Sequence, residues 1–272
     1  MEQVSSDRFL DAHEDDDNDF SAVTRTAQDR TTQDKDTQRW YFAPVGMVCT
    51  VRQVSSGRFL DAHESQANDF SAVTRTAQAN DSQRWILIPV PGQVSTYTIQ
   101  QLHNSRLLDA HTAGSDFSVV TRTNQKNNTQ WWKVAEQTNG SFTIRQVANG
   151  RFLDAHQTAS DDFSVVTRSA QNNNTQRWEL TVVAGVYTVE QMSSGRYLDA
   201  HENQNEDFSA VTRQAQGNDS QRWVATHLGG EEYTLRQVIK ARFLDAHQAS
   251  GEDFSAVTRT SQNNDTQRWT IN

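Results

Sequence analysis

The stretch GRFLDAHESQANDFSAVTRTAQANDSQRW, residues 57–85, contains the motifs that decide the fold. These motifs are Leu-Asp-Ala-His, Asp-Phe-Ser, Val-Thr-Arg and Gln-x-Trp. Near-copies of the stretch occur six times, and the Asp of the first motif falls at Asp11, Asp61, Asp109, Asp154, Asp199 and Asp245. A fixed period of about 45 residues is typical of repeat architectures, in which each copy is one supersecondary unit. Any binding site in one copy is therefore expected in the others.

The composition favours many short strands over a thick apolar core. Hydrophobic residues make up 35% of the 272 residues, and the mean hydropathy is -0.80. No apolar stretch is long enough for a transmembrane helix, so we expect no membrane insertion. The start of the chain, MEQVSSDRFLDAHE, shows no signal peptide, which predicts a protein that is cytoplasmic or secreted without a visible signal. Cys49 is the only cysteine, so no intramolecular disulfide can form.

The charge of the chain argues against nucleic acid as a partner. The formal net charge is -9 and the isoelectric point is near 5.3. Proteins that bind the phosphate backbone need a positive surface, whereas the arginines here are spread evenly over the repeats. The sequence predicts no nucleic-acid binding.

Each repeat is predicted to form four short strands. In the second repeat we expect strands at 49–53, 58–62, 71–75 and 83–88, where β-branched and aromatic residues alternate with polar breaks. No helical period is sustained. Six repeats of four strands admit two closed all-β architectures, which are a six-bladed β-propeller and a pair of β-trefoils with three repeats each.

The Gln-x-Trp motif resembles that of the ricin B-chain-like β-trefoil lectins. Six such motifs stand in phase with the Leu-Asp-Ala strands, and the resemblance covers nearly the whole chain. It implies two tandem β-trefoil domains, which we place at residues 1–136 and 137–272. The six-bladed propeller remains the alternative.

The Asp and His of the first motif are the predicted sugar ligands. Alternation along the strand places Leu60 and Ala62 on the core face and Asp61 and His63 on the other. A carboxylate beside an imidazole can bind vicinal hydroxyls, and in the ricin-like family the Asp at this position holds the sugar. The His residues are His13, His63, His111, His156, His201 and His247. An Asp–Arg structural clamp, formed with the Arg of Val-Thr-Arg, is the competing interpretation.

The Phe of Asp-Phe-Ser is the predicted stacking ring for a sugar. These residues are Phe20, Phe70, Phe117, Phe163, Phe208 and Phe254. A core role for each Phe is the alternative. The Trp of Gln-x-Trp is predicted to lie in the core, and its Gln is predicted to bind backbone groups.

Two departures from the ricin-like pattern bear on the sugar preference. The family's aromatic residue after the third strand is replaced by Thr76 and its equivalents, and the usual amide before Gln-x-Trp is replaced by Ser82 and its equivalents. The resemblance to the ricin-like family therefore supports the fold of this chain more strongly than a preference for galactose.

The leading functional hypothesis is a multivalent lectin with up to six equivalent sites. Its predicted ligands are galactose- or GalNAc-type or other terminal glycans on cell-surface glycoconjugates. A protein-binding or scaffold trefoil, such as an inhibitor or cross-linker, is the alternative. We expect no enzyme activity, catalytic residue, cofactor or metal, because no nucleophile stands beside a base and no third metal ligand accompanies Asp and His.

Overall fold

The computed structural model describes residues 1–28, 36–114 and 117–271, and these contain strands and short 3₁₀ helices but no α-helix. The strands are β1 (Glu2–Gln3), β2 (Arg8–Ala12), β3 (Ala22–Arg25), β4 (Trp40–Gln53), β5 (Phe59–Ala62), β6 (Ala72–Arg75), β7 (Arg84–Pro89), β8 (Thr96–Gln101), β9 (Leu107–Ala110), β10 (Val119–Arg122), β11 (Trp131–Glu136), β12 (Phe142–Gln146), β13 (Phe152–Ala155), β14 (Val165–Arg168), β15 (Trp178–Gln191), β16 (Tyr197–Ala200), β17 (Ala210–Arg213), β18 (Trp223–Gly229), β19 (Glu232–Gln237), β20 (Phe243–Ala246), β21 (Ala256–Arg259) and β22 (Trp269–Thr270).

Two sets of 3₁₀ helices connect the strands. One set lies in the loop between the second and third strands of a repeat, and each helix of the other set ends at the Gln of Gln-x-Trp. They are Asp36–Gln38, Gln66–Asn68, Asp81–Gln83, Asn128–Gln130, Ala159–Asp161, Asn174–Gln176, Gln204–Glu206, Asp219–Gln221, Ser250–Glu252 and Asp265–Gln267. None of the described helices is long and apolar enough to cross a membrane.

The second and third strands of each repeat form an antiparallel hairpin. In the second repeat, β5 pairs with β6 so that Asp61 lies opposite Val73 and Phe59 lies opposite Arg75. The same register recurs in the hairpins of the other repeats. The predicted strands 58–62, 71–75 and 83–88 are confirmed to within one residue at each end by β5, β6 and β7. The predicted strand 49–53 forms the last part of the longer β4.

The hairpins associate in two groups of three. Isolated bridges join repeats one, five and six, at Ser21–Val211, Val23–Ser255 and Ser209–Val257. Equivalent bridges join repeats two, three and four, at Ser71–Val120, Val73–Ser164 and Ser118–Val166. Three repeats around one threefold arrangement make a β-trefoil, so the predicted all-β fold of two trefoils is confirmed in preference to the propeller.

The chain divides into compact units that differ from the predicted halves. One unit comprises residues 1–45 and 184–272, and the other comprises residues 46–183. The predicted boundaries of 1–136 and 137–272 are corrected accordingly. We call the first the split unit, because it takes its repeats from both ends of the chain, and the second the continuous unit.

The junctions between repeats explain this division. Within a unit, successive repeats are joined by turns that contain a glycine with positive φ, namely Gly92, Gly140 and Gly230. The two junctions where the chain changes unit lie inside the long strands β4 and β15, and neither has such a turn. A tight turn returns the chain to its neighbouring strand, whereas an extended junction carries it onward.

Each unit has its own core, built from the same motif positions. In the continuous unit, Leu60, Leu108 and Leu153 pack with Trp85, Trp132 and Trp178, and all are fully buried or nearly so. Leu10, Leu198 and Leu244 occupy the same positions in the split unit. The predicted core role of the Leu and Trp positions is confirmed, with Trp40 only partly buried.

The Trp and Gln of Gln-x-Trp fasten the hairpins to the fourth strand. Each Trp donates from Nε1 to the carbonyl of the Leu in Leu-Asp-Ala, at 3.0–3.1 Å. Each Gln donates from Nε2 to the carbonyl that follows the third-strand Arg, at 2.9 Å. The prediction that this Gln binds backbone groups is thereby confirmed.

Candidate functional site

The Asp of Leu-Asp-Ala is buried in all six repeats. Its relative exposure is between 0% and 4%. In five repeats, Oδ1 accepts from the backbone N–H of the following Ala at 2.7–2.8 Å. Strand alternation predicts that this Asp lies on the solvent-exposed face of the strand. In the structure, other side chains cover that face, so the Asp is buried there as well. The covering groups are the Gln of Gln-x-Trp and the Arg of Val-Thr-Arg.

The outer oxygen of the Asp faces these covering groups. In repeat four, Gln176 donates to Oδ2 of Asp154 at 3.2 Å, and Nη1 of Arg168 lies 3.9 Å from the same oxygen. In repeat six, Oδ2 of Asp245 lies 3.9 Å from Arg259 and has no hydrogen-bond partner among the described residues. A buried carboxylate oxygen without a partner requires an explanation, and a donor hydroxyl would satisfy it.

The Arg of Val-Thr-Arg contacts the His of the same repeat in all six repeats. Arg75 Nη2 lies 3.2 Å from Nδ1 of His63, and the corresponding contacts in the other repeats are 3.1–3.5 Å. The His side chains are only partly buried, with relative exposures from 14% to 39%. In repeats one, four and six the Arg also lies 3.9 Å from the Asp, so that Asp, Arg and His form one continuous polar cluster from the buried Asp to the partly exposed His.

A second carboxylate completes the cluster, and it comes from a different repeat. Nε2 of His63 lies 2.7 Å from Oδ2 of Asp162, the Asp of Asp-Phe-Ser in repeat four. The same contact joins His13 to Asp253, His201 to Asp19 and His247 to Asp207, at 2.9–3.2 Å. Sequence analysis missed this residue, although its recurrence before each Phe was a signal. Asp116, its copy in repeat three, lies outside the described residues.

The repeats differ in how tightly the His is held. In repeats five and six, a glutamate also contacts Nδ1, pairing His201 with Glu206 and His247 with Glu252. In repeat three, His111 lies 3.8 Å from Asp69 and is the most exposed of the motif histidines. A pocket of about 300 Å³ is found there, lined by Asp109, His111 and Arg122 together with the polar residues Gln125, Asn127 and Thr129.

The Phe of Asp-Phe-Ser packs against an arginine of another repeat. The guanidinium carbon of that arginine lies 3.5–3.8 Å from the ring centroid in the pairs Arg8–Phe254, Arg58–Phe163, Arg106–Phe70, Arg151–Phe117, Arg196–Phe20 and Arg242–Phe208. One face of each ring is thus occupied by a cation. The Asp that precedes the Phe contacts the His of a neighbouring repeat in four of the pairs.

These Phe residues also join the repeats through the backbone. Their φ values are 46–51°, in the left-handed region. Their carbonyls accept from the Thr N–H of a neighbouring Val-Thr-Arg strand at 2.9–3.0 Å, as between Phe163 and Thr74. Burial, and to a lesser degree the charge of Arg122, lower the pKa of the Arg106 guanidinium that covers Phe70. The Arg–Phe pair therefore lies in a partly desolvated part of the surface.

Comparisons with known proteins identify related sequences and folds. The family model described as "Ricin-type beta-trefoil lectin domain-like" matches residues 36–125, 81–168, 127–215 and 174–258. No protein among the curated sequences matches the chain.

Solved structures similar to this chain include designed and fungal proteins. The designed threefold-symmetric protein ThreeFoil is 20% identical, with a TM-score of 0.45 over 49% of this chain and 97% of its own. The Polyporus squamosus lectin, bound to Neu5Acα2-6Galβ1-4GlcNAc, is 20% identical, with a TM-score of 0.43 over 54% of this chain and 52% of its own. The Rhizoctonia solani agglutinin is 18% identical, with a TM-score of 0.43 over 52% of this chain and 96% of its own.

Proposed function

Because the chain belongs to the ricin-type beta-trefoil lectin domain-like family, which supports carbohydrate binding in general, we propose that it is a multivalent lectin without catalytic activity. Its ligands are terminal glycans of cell-surface glycoconjugates, of the galactose or GalNAc type or of another class. The observation that carries the proposal is the Asp–Arg–His cluster, whose Arg–His contact recurs in each repeat and whose residues line an open pocket in repeat three.

The chemistry of the cluster suits a saccharide. Its carboxylates accept hydrogen bonds from hydroxyls, Arg donates them and His does either. In repeat three, the amides of Gln125 and Asn127 and the hydroxyl of Thr129 add further partners. A single shallow site of this kind binds weakly, with a dissociation constant near the millimolar range. Up to six copies on one chain raise the avidity for a multivalent surface by roughly 10²–10⁴.

The sugar ligands that we propose in each site are the Asp, the His and the nearby Phe. The Asp supplies its outer oxygen, which in Asp245 is buried and has no hydrogen-bond partner among the described residues, so the covering Arg259 must move to admit a sugar hydroxyl. The His forms the exposed rim, and the Phe offers the ring face that the arginine does not cover. The absence of the family's usual aromatic residue at Thr76 and its equivalents favours a glycan other than simple galactose.

The burial of the Asp also favours a second candidate function. A carboxylate that is at most 4% exposed and accepts from the backbone N–H of the following Ala can serve as an internal support alone. In that case the six clusters stabilise the hairpins, and the protein is a scaffold or protein-binding trefoil without sugar binding.

A glycan array with two variants separates these functions. The first variant replaces the Asp of all six motifs with Asn, which retains the Oδ1 acceptor but removes the charge at Oδ2. The second replaces the more exposed motif His residues with Gln, in case the first variant fails to fold. Circular dichroism and thermal unfolding establish that each variant is folded.

If the protein is a lectin, the wild type should bind a defined glycan, and the folded variants should lose this binding. Failure of the folded wild type to bind any glycan would reject the lectin and favour the scaffold. Binding that persists in both folded variants would show that the sugar site lies outside the clusters.

A further inference from the structure

A second pocket of the continuous unit lies outside the Asp–Arg–His clusters. It has a volume of about 560 Å³ and is lined by residues of β11, β12, the start of β13 and the segment before β15. Lys133, Arg145 and Arg177 provide its charged groups, and Phe152 and Asn172 lie beside them. The lining residues carry positive charge and no carboxylate, in a protein whose formal net charge is -9. We call this pocket the basic groove.

Two of its cations face each other across the sheet. Lys133 on β11 lies directly opposite Arg145 on β12. Like charges in directly opposed positions destabilise a sheet. The equivalent positions pair Ile86 with Gln100 in the continuous unit and Val224 with Arg236 in the split unit, so no second cation opposes the first there. Lys133 and Arg145 have no ion pair with the described residues.

The third cation lacks the acid that its counterparts have. In four other repeats, the Arg of Gln-x-Trp forms an ion pair with an Asp three residues earlier. Repeat four has Asn174 at that position, and Arg177 instead donates to the side chain of Asn172 at 3.0 Å. The pairs in the other repeats are Arg39–Asp36, Arg84–Asp81, Arg222–Asp219 and Arg268–Asp265, at 2.7–3.3 Å.

The equivalent pocket in repeat six shows the neutralised arrangement. It is lined by Phe243, Asn263 and Arg268, which correspond to Phe152, Asn172 and Arg177, and by Glu232. Nη1 of Arg268 lies 3.8 Å from Glu232 and 3.2 Å from Asp265. The same pocket therefore occurs in both units, but only the continuous unit has an excess of positive charge in it.

We infer that the basic groove binds the anionic group of an acidic saccharide, a sulfate ester or a carboxylate. This inference rests on the proposed lectin function. Lys and Arg bind such oxyanions through charge-assisted hydrogen bonds, and a guanidinium can bind two of the oxygens at once. Phe152 supplies an apolar surface for the sugar ring, and Asn172 and Gln137 supply partners for hydroxyls. The unfavourable Lys133–Arg145 pair is relieved when the anion is bound.

Calorimetric titration tests the inference with four probes: sulfated lactose, sialylated lactose, unmodified lactose and inorganic sulfate. The wild type is compared with the Lys133→Gln/Arg145→Gln double variant and with Asn174→Asp, which restores the acid beside Arg177. The matched control is Arg268→Gln, in the equivalent pocket of repeat six. The sixfold Asp→Asn variant tests the proposed lectin sites in parallel.

We expect sulfated and sialylated lactose to bind more tightly than unmodified lactose. Comparison of these two acidic probes shows whether a sulfate ester or a carboxylate is preferred. The double variant should reduce this binding roughly tenfold, as expected for lost charge-assisted hydrogen bonds, and Asn174→Asp should weaken it as well. Arg268→Gln should leave it unchanged. Thermal unfolding should show the double variant to be no less stable than the wild type, because a like-charge pair is removed.

Equal affinity for the acidic and neutral probes would overturn the inference and leave the lectin proposal intact. An equal loss in Arg268→Gln would also overturn it. Acidic binding that the double variant abolishes but the sixfold Asp→Asn variant preserves would support the groove and reject the Asp–Arg–His clusters as sugar sites. Binding of inorganic sulfate alone would show an anion site without a saccharide ligand and would overturn the inference.

Discussion

The guanidinium carbon of Arg242 lies 3.7 Å from the ring centroid of Phe208, and the two residues belong to neighbouring repeats. The same arginine donates from Nη2 to the carbonyl of Thr258 in its own repeat at 2.6 Å. One side chain therefore ties its own hairpin together and also holds the adjacent one. Because this contact recurs around each unit, it links the three repeats of each unit in a ring.

Replacement of Phe208 by Leu should destabilise the split unit. The change removes a cation–π contact and part of a half-buried ring, at a cost of about 1–2 kcal/mol in the free energy of unfolding. Urea denaturation followed by tryptophan fluorescence measures this cost. Tyr41→Leu is the control, because the Tyr41 side chain is 54% exposed. Equal stability of the Phe208 and Tyr41 variants would contradict an energetic role for the Arg–Phe link.

Replacement of Trp223 by Phe should lower the free energy of unfolding by more than the lost side-chain volume alone would predict. Trp223 is fully buried and donates to the carbonyl of Leu198 at 3.0 Å. Loss of the donor leaves a buried carbonyl without its partner, which costs about 1–3 kcal/mol in addition to the lost packing. Trp131→Phe, at a partly buried position beside the core Trp132, should cost much less. Chemical denaturation of both variants checks the difference, and similar losses would show that the indole hydrogen bond contributes little.

The fragment 46–183 should fold alone, whereas the fragment 1–136 should not. The first contains the three repeats of the continuous unit, and the second leaves repeat one without the hairpins of repeats five and six. Dispersed amide NMR signals and cooperative thermal unfolding are expected for 46–183 only. Cooperative folding of 1–136 as one trefoil would show that the repeats can be exchanged between units.

A permuted chain supplies the matched experiment for the split unit. Residues 184–272 are joined through a short Gly/Ser linker to residues 1–45. The linker is short because Glu2 of β1 pairs with Thr270 of β22. This chain should also unfold cooperatively, and an unfolded product would contradict the assignment of repeat one to the split unit.

Cys49 should resist thiol reagents until the protein unfolds. It is completely buried, and burial raises the pKa of its thiol to about 11 from the ordinary value of 9.0. Because the thiolate is the reactive form, modification by a chromogenic disulfide at pH 8 should be negligible in buffer and complete in denaturant. Rapid modification of the native protein would contradict the burial of this side chain.

The raised pKa of Cys49 also has a consequence for stability. The folded state binds the thiol proton more tightly than the unfolded state, so this contribution is fully present below pH 9.0 and is lost as the pH rises towards about 11. Cys49→Ala should flatten the decline in the unfolding midpoint across that window. An unchanged profile would show that other groups cause the decline.

The local features of each repeat were predictable, but the association of the repeats was not. Leu60, Gln83 and Trp85 act within one repeat, so the motif spacing contains the information for the hairpin and its attachment. The contact between His13 and Asp253 joins residues at opposite ends of the chain. Because the six copies are nearly identical, periodicity does not distinguish which three associate. Glycines lie at all five junctions, at Gly92, Gly140 and Gly230 within the units and at Gly46 and Gly185 where the chain changes unit, so their presence alone does not reveal the grouping.

The strand pattern also does not predict the burial of the Asp carboxylate. Alternation assigns Asp154 and Leu153 to opposite faces, which is what the structure shows. It does not reveal that Gln176 and Arg168 cover the second face. Arg168 is the last residue of β14, and the position of Gln176 depends on the loop that follows this strand.

The division of the chain into a continuous unit and a split unit sets an order of events during translation. Repeats two to four form an uninterrupted segment, so they can fold as soon as residues 46–183 have left the ribosome. Repeat one is made before the other five repeats, yet its partner hairpins belong to repeats five and six. At about 5–20 residues per second, it waits roughly 10–45 s for them. During that time its strand edges and the apolar side chains Leu10 and Trp40 are open to chaperones and to neighbouring nascent chains.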